Sequence, residues 1–365
     1  MAARRILPAI ALCAAVAVGL GGCMSAPAAG PSDTPTASGP VVPLADLTVP
    51  ADPRSITGPS TALLADAAIP LLEGDWALTL PTTVLSRDLD GDREVTVASA
   101  DRIIGLDIAG SIAATLVGLG LDDRLVGRDV SSDLPGLGDL PVVTSNGHTV
   151  NSEAIIALDP DLVITDGTIG PVDVVQQLRD AGIAVVFVNA DSTLAGAGEL
   201  AEQVGAAVGM ADAGAAFAAQ LTAAIDAKVA EIAAIVPAGD PLRVLFLYLR
   251  GSSGIYYLFG EGSGADALIT ALGATDVAAE VGIVGSRPMT DEAMVAAAPD
   301  LILVMTGGLE SMGGVDGVLD SLTAVALTPA GTNQRFVDMA DAAVLSFGPR
   351  TPGVLDALAR AVYAP

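Results

Sequence analysis

The sequence predicts an α/β protein of two Rossmann-like lobes, each built on a mostly parallel central sheet. One long rigid helix joins them and a ligand cleft lies between them. Three observations carry this expectation. First, a pattern occurs twice: NSEAIIALDPDLVITDG over Asn151–Gly167 and TDEAMVAAAPDLILVMTGG over Thr290–Gly308. Each copy sets a glutamate, Glu153 or Glu292, seven residues before a Pro-Asp-Leu that runs into an apolar strand. Duplicated units of this kind make similar lobes, and similar lobes leave a cleft. Second, strand and helix patterns alternate from Asp101 onward, as in parallel sheets covered on both faces. Third, residues 211–236 run without Gly or Pro after Gly214, and Phe217, Leu221, Ile225, Val229 and Ile232 form one stripe. About 25 helical residues reach roughly 37 Å, the span of a lobe.

The elements follow in order. Arg4 and Arg5 precede an apolar run, Ile6–Val18, that is too short for a stable membrane span. Leu20-Gly21-Gly22-Cys23 then resembles a bacterial lipobox, which makes residues 1–22 a signal peptide and Cys23 the lipidation site. An uncleaved anchor is the alternative. Residues 23–60 are rich in Pro, Ser, Thr, Ala and Gly and read as a disordered tether. Residues 61–95 form an N-terminal extension with strands at 77–80 and 94–97. Between those strands, Asp88-Leu-Asp-Gly-Asp92 lacks the twelfth-position Glu and the glycine spacing of a calcium loop, so it reads as a hairpin turn.

Residues 96–192 make the first lobe. Strands are expected at 102–106, 125–127, 141–144, 162–165 and 185–188, with helices at 111–120, 153–158 and 172–181. Residues 193–236 are the connecting helices. The second lobe, 237–365, opens on the strand Arg243–Leu249. It repeats the first with helices at 264–273 and 292–298 and a strand at 301–305. A helical stretch at 315–327, a strand at 335–338 and a closing helix at 351–363 complete it.

Composition narrows the function. The net charge is −27, and residues 1–22 hold two arginines and no acid, so cleavage makes it more negative still. Such a surface repels nucleic acid and anionic lipid. The two cysteines, Cys13 and Cys23, are both spoken for by the leader, so the folded body is held by its core and not by disulfides. Zinc and manganese carriers need several His, Asp or Glu ligands. This chain has a single histidine, His148. No Walker loop, Gly-x-Gly-x-x-Gly or Gly-x-Ser-x-Gly stands in a suitable context, so the chain is read as a non-enzyme.

Several residues stand out. His148 follows Gly147 on a loop at a strand end, where α/β proteins place ligands. Taken alone it reads as a solvated or hydrogen-bonded loop residue. Tyr248 ends the first strand of the second lobe, and Arg250, two residues on, shares its side of the extended chain. Tyr256 and Tyr257 fall in a hairpin at 253–260, at most one of them facing the cleft. Met289 could line an apolar pocket, although ordinary packing explains it too. Glu153 and Glu292 begin equivalent helices, where a carboxylate favours the helix dipole.

Arg102-Ile-Ile-Gly-Leu, Asp123-Arg-Leu-Val-Gly127 and the paired Glu…Pro-Asp-Leu segments together resemble the substrate-binding proteins of cobalamin, siderophore and haem ABC importers. Asn146-Gly147-His148, Thr165-Asp166-Gly167 and Tyr248-Leu249-Arg250 make the chain similar, within that class, to the haem-uptake lipoproteins of actinobacteria. The resemblance covers about residues 75–365. It implies haem as the transported ligand, with His148 and Tyr248 as axial ligands to the iron and Arg250 supporting Tyr248. Arg287 and Arg350 are candidate partners for the propionates. It also implies a monomer, lipid-anchored outside the cytoplasm, that docks through Glu153 and Glu292 on a permease dimer driven by a cytoplasmic ATPase. Cobalamin, a ferric siderophore, or a haem relay without a permease are the alternatives.

Overall fold

A computed structural model describes residues 36–365 except 172; the expected signal peptide and Cys23 lie outside the described residues. The first lobe is built on three parallel strands, Ile103–Leu106, Leu162–Thr165 and Ala184–Phe187, with the second in the middle. Their near-continuous burial reflects helices on both faces, which is why each reads as an unbroken apolar run. The expected strands at 125–127 and 141–144 contribute only single bridges, Ile103 to Leu125 and Arg128 to Val142. Beyond the latter, Thr144–Ser145 and Thr149–Val150 form a small hairpin.

The second lobe holds a larger sheet, in the order Ser60–Ala62, Phe336–Met339, Leu301–Met305, Arg243–Arg250, Ile255–Phe259 and Ser286–Pro288. The first four strands are parallel and the last two antiparallel. Thr275–Asp276 pairs in parallel with the start of Arg243–Arg250.

The connecting helix, Ala211–Ile235, ties the two cores together. Phe217 and Leu221 belong to the core of the first lobe; Ile225 and Ile232 belong to that of the second, with Val229 packed against it. One stripe read from the sequence thus serves two cores in turn. Its approach to the first lobe is close: a Cβ at Gly118 would fall 2.3 Å from the Phe217 ring, so only glycine fits there. No helix among the described residues is long and apolar enough to cross a membrane.

The N-terminal segment departs from expectation. From residue 36 on, the chain expected as tether lies against the second lobe. Leu44 is 2% exposed and joins its core, with Leu47 and Val49 packed beside it. Arg54 donates from Nε to Asp300 at 3.0 Å, and Ser60–Ala62 adds an edge strand. A Pro- and Ser-rich segment cannot build a core, but a few apolar anchors suffice to join an existing one. The chain crosses to the first lobe only after Leu64, another residue of the second lobe's core.

Residues 77–80 make no strand. The hairpin is instead Thr82–Ser86 with Arg93–Val97, closed by the Asp88–Asp92 turn. Asp88 there accepts from Arg179 at 2.7 and 3.1 Å, pairs with Arg93 at 3.0 Å and accepts from Ser86. Burial pushes this carboxyl up, yet the Arg179 and Ser86 hydrogen bonds and the two arginine charges outweigh it and hold it below the usual range. The stretch at 315–327 breaks at Leu322 into two helices, Gly314–Ser321 and Thr323–Ala326.

Phe217→Ala should destabilise the protein by about 3–5 kcal/mol, since it empties the contact that seats the connecting helix in the first lobe. Denaturant unfolding measures this; an unchanged midpoint would show that the helix does not anchor that core.

Candidate ligand cleft

Strand ends from both lobes converge on one hollow of about 270 Å³. In the first lobe, Asp107 and Asp166 stand directly after the strands Ile103–Leu106 and Leu162–Thr165. In the second, Tyr248, Met305 and Asp341 stand at or just past the ends of Arg243–Arg250, Leu301–Met305 and Phe336–Met339. Parallel α/β sheets present ligands at this carboxyl end. Phe259 and Phe347 add apolar wall. A larger hollow, about 580 Å³, lies beside Lys228 and the start of the Thr351–Tyr363 helix, away from the strand ends. Strand-end chemistry makes the smaller one the candidate site.

Tyr248 is half-buried, and its hydroxyl accepts a hydrogen bond from Arg250 Nε at 2.9 Å. The guanidinium carbon also lies 5.2 Å from the ring centroid. The ring stacks on Phe259 with centroids 5.8 Å apart and planes at 13°. Both side chains sit on one face because the strand alternates every two residues. Arg250 reaches Asp341 as well, at 3.4 Å from its Nη1. Tyr257 lies directly opposite Tyr248 in the hairpin and so shares its face of the sheet, whereas Tyr256 packs against the second lobe's core.

His148 occupies the tip of the Thr144–Val150 hairpin and is exposed. Asn146 and Gly147 before it both take positive φ, 48° and 86°. Asparagine and glycine tolerate this conformation, and it makes the tight turn that projects the histidine. Val150 N–H donates to Gly170 at 2.7 Å, two residues beyond Thr168 in the cleft wall, and Val130 N–H donates to Thr144 Oγ1 at 3.1 Å. The histidine therefore rides on a loop fastened beside the cleft, but it is not among the residues that line the hollow. Tyr248 lines this hollow and His148 does not.

Met289 also stands apart. It packs against the second lobe's core, and its N–H donates to Tyr256. Arg287 is exposed on the edge strand. Arg350 is 5% exposed; its guanidinium donates to Ala342 O and Ser346 Oγ. Burial lowers it to about 10, against the charge of Asp107. Glu153 and Glu292 are exposed second residues of the matched helices Ser152–Ala157 and Asp291–Ala297. Both helices are capped alike: Asn151 accepts from Ala154 N–H and Thr290 from Ala293 N–H.

The structure adds a set of carboxyls that sequence reasoning missed. Asp107 is fully buried and accepts from the N–H groups of Ser111 and Ile112 at 2.8 and 3.2 Å. Asp129, also buried, accepts from Asp107 N–H and Ser132 N–H. Burial pushes Asp107 well above the usual carboxylate range, and the charges of Asp129 and Asp166 push the same way. Burial likewise raises Asp129 and Asp166, against hydrogen bonds from the backbone and from Thr168. Above them, Ser111 Oγ meets Ser346 Oγ at 3.3 Å across the two lobes. The position of Asp107 and Asp166 directly after apolar strands was the one signal available in the sequence.

Comparisons with known proteins agree on one family. The model of the periplasmic binding protein family matches residues 108–343. A cobalamin-binding protein of Halobacterium salinarum is 30% identical over 68% of this chain, and the match spans 65% of that relative, less than two thirds of its length. An uncharacterized ABC transporter substrate-binding lipoprotein of Bacillus subtilis, YvrC, is 25% identical over 83% of this chain and 94% of its own. Among solved structures, the heme binding protein HmuT is 37% identical, with a TM-score of 0.79 over 86% of this chain and all of that one. Variants of HmuT with one histidine, tyrosine or arginine replaced match in the same way. The periplasmic heme-binding protein RhuT from Roseiflexus sp. RS-1, in apo form, is 34% identical, with a TM-score of 0.66 over 73% of this chain and 98% of that one.

The raised carboxyls set a pH dependence. A carboxyl raised on folding contributes its stability in full below the unfolded value, about 3.9, and loses it as pH rises through the folded value. Asp166→Asn keeps the oxygen that accepts from Thr168 and removes the charge. The variant should melt higher than the parent at pH 7 to 8, with the gain vanishing towards pH 4. A gain that grew on acidification would contradict the burial of this group as its governing influence.

Proposed function

The chain belongs to the periplasmic binding protein family, and on that premise we propose that it captures haem in the cleft and passes it to an ABC-importer permease. The observation that carries the reading is the Arg250 Nε–H bond to the Tyr248 hydroxyl, 2.9 Å long, at a strand end in the cleft. Phenolate is a hard anionic donor that suits ferric iron. A free phenol ionises near pH 10, so binding at neutral pH needs help. Iron supplies part of it. The Arg250 guanidinium orients the oxygen that would meet the metal.

His148 provides the second axial ligand from the other lobe, as a neutral imidazole. Reaching the iron requires its exposed hairpin to move towards the cleft. The hollow of about 270 Å³ lies at the lower edge of ordinary ligand pockets, so the lobes part to admit a ligand of this size. Exposed apolar Ile108 and Val130 flank the segment that holds the hairpin and offer a surface to the porphyrin face.

The haem-binding neighbours support the reading. In the HmuT variants the replaced tyrosine and arginine are two residues apart, as Tyr248 and Arg250 are, and the histidine precedes the tyrosine by roughly a hundred residues in both chains. Cobalamin is the second reading, favoured by the halobacterial relative. Lipidation at Cys23 holds the protein on the outer face of the cell membrane as a non-enzymatic monomeric carrier. Glu153 and Glu292, exposed on matched helices, dock on basic residues of the permease dimer, whose cytoplasmic ATPase drives uptake.

Titration with hemin followed by visible absorption tests the ligand. The expected result is a shifted Soret band at one equivalent. Arg250→Ala should weaken affinity by about 10–100-fold, the usual range for a partner that orients a metal ligand. His148→Ala should alter the band as well. No spectral change with hemin, together with tight binding of cobalamin, would overturn the haem reading. Reversal of both glutamates to lysine should abolish uptake in cells while leaving hemin affinity unchanged; lost affinity would refute a docking role.

A further inference from the structure

Arg250 is about a third exposed on its side chain, so its hold on Tyr248 needs a fixed point. Asp341 supplies one. Its Oδ1 accepts from Gly307 N–H at 2.8 Å, and its Oδ2 lies 3.4 Å from Arg250 Nη1. The fit is tight, since a Cβ at Gly307 would fall 3.0 Å from Asp341 Oδ2. Next to this contact, Thr306 Oγ1 donates to Asp338 at 2.7 Å, so the ends of two neighbouring strands are laced together where Asp341 emerges. The guanidinium is held at both edges: Nη1 faces the carboxylate and Nε–H points at the phenol. A planar, five-donor group with one edge secured retains only the orientations that satisfy the other.

We propose that Asp341 is a positioning residue: through Arg250 it fixes the orientation of the Tyr248 hydroxyl that would face the iron. This rests on the haem reading above. Asp341 also lines the hollow, and an influence passed through the guanidinium is the one that disappears when Arg250 is removed. That sets it apart from a carboxylate that merely starts the short helix Asp341–Val344, whose loss would lower stability without reference to Arg250.

A double-mutant cycle on the full protein, with hemin as the probe, separates these roles. Asp341→Ala should weaken hemin affinity by about 3- to 10-fold in the parent and by nothing further in Arg250→Ala, since contacting groups of one network are non-additive. Asp341→Asn keeps an oxygen for Gly307 N–H and so guards against misfolding; it should show the same coupling with a smaller loss. A second readout needs no haem. The Arg250 Nε–H resonance of the apo protein should be resolved in the parent and broadened in both variants. Equal losses in the two backgrounds, or an unchanged Nε–H signal, would overturn the proposal. If the parent itself gives no Soret shift, the haem reading fails instead, and the apo resonance still reports on the tether.

Discussion

The hydrogen bond from a guanidinium to a phenol at a strand end is the contact on which the account depends. A tyrosine alone is a poor iron ligand at neutral pH, because its proton leaves only near pH 10. Arg250 donates to the Tyr248 oxygen over 2.9 Å, a bond that fixes where this oxygen lies. The position matters as much as the pair. Because the strand alternates, residues two apart face the same way, and Arg250 can reach the hydroxyl of Tyr248 in the cleft wall.

The rest of the fold keeps this pair opposite a second lobe. The Ala211–Ile235 helix lends its stripe first to one core and then to the other, so both lobes share it as a wall. The N-terminal segment strengthens the second lobe by adding Leu44 to its core and Ser60–Ala62 to its sheet edge. Across the cleft, the first lobe presents buried carboxyls instead of cations. Asp107 and Asp129 accept from backbone N–H groups, Asp129 from that of Asp107 itself, and Asp107 lines the hollow together with Tyr248 of the second lobe.

Much of this was legible in the sequence, for identifiable reasons. The connecting helix could be read because no helix breaker interrupts it after Gly214 and its apolar steps are regular. The Tyr248–Arg250 pair could be read because period-two geometry is local. The packing of residues 36–60 could not, since composition reports what a segment can bury by itself and says nothing of a core supplied by residues 200 positions away. Asp107 and Asp129 were missed for a similar reason, since their burial is made by segments distant in the chain, and Asp166 was read only as part of a motif. Met289 looked available to a ligand only until Tyr256 was seen to claim its backbone and the core its side chain. The place of His148 outside the lining of the hollow depends on the turn at Asn146 and Gly147, whose course no periodicity encodes.

Resonance Raman spectroscopy of the hemin-loaded protein, excited in a tyrosinate-to-iron charge-transfer band, addresses the central claim most directly. The account predicts tyrosinate ring modes in the wild-type ferric complex and their loss in Tyr248→Phe. A wild-type complex without those modes, or a Tyr248→Phe complex that retains them, would contradict iron ligation by this phenolate.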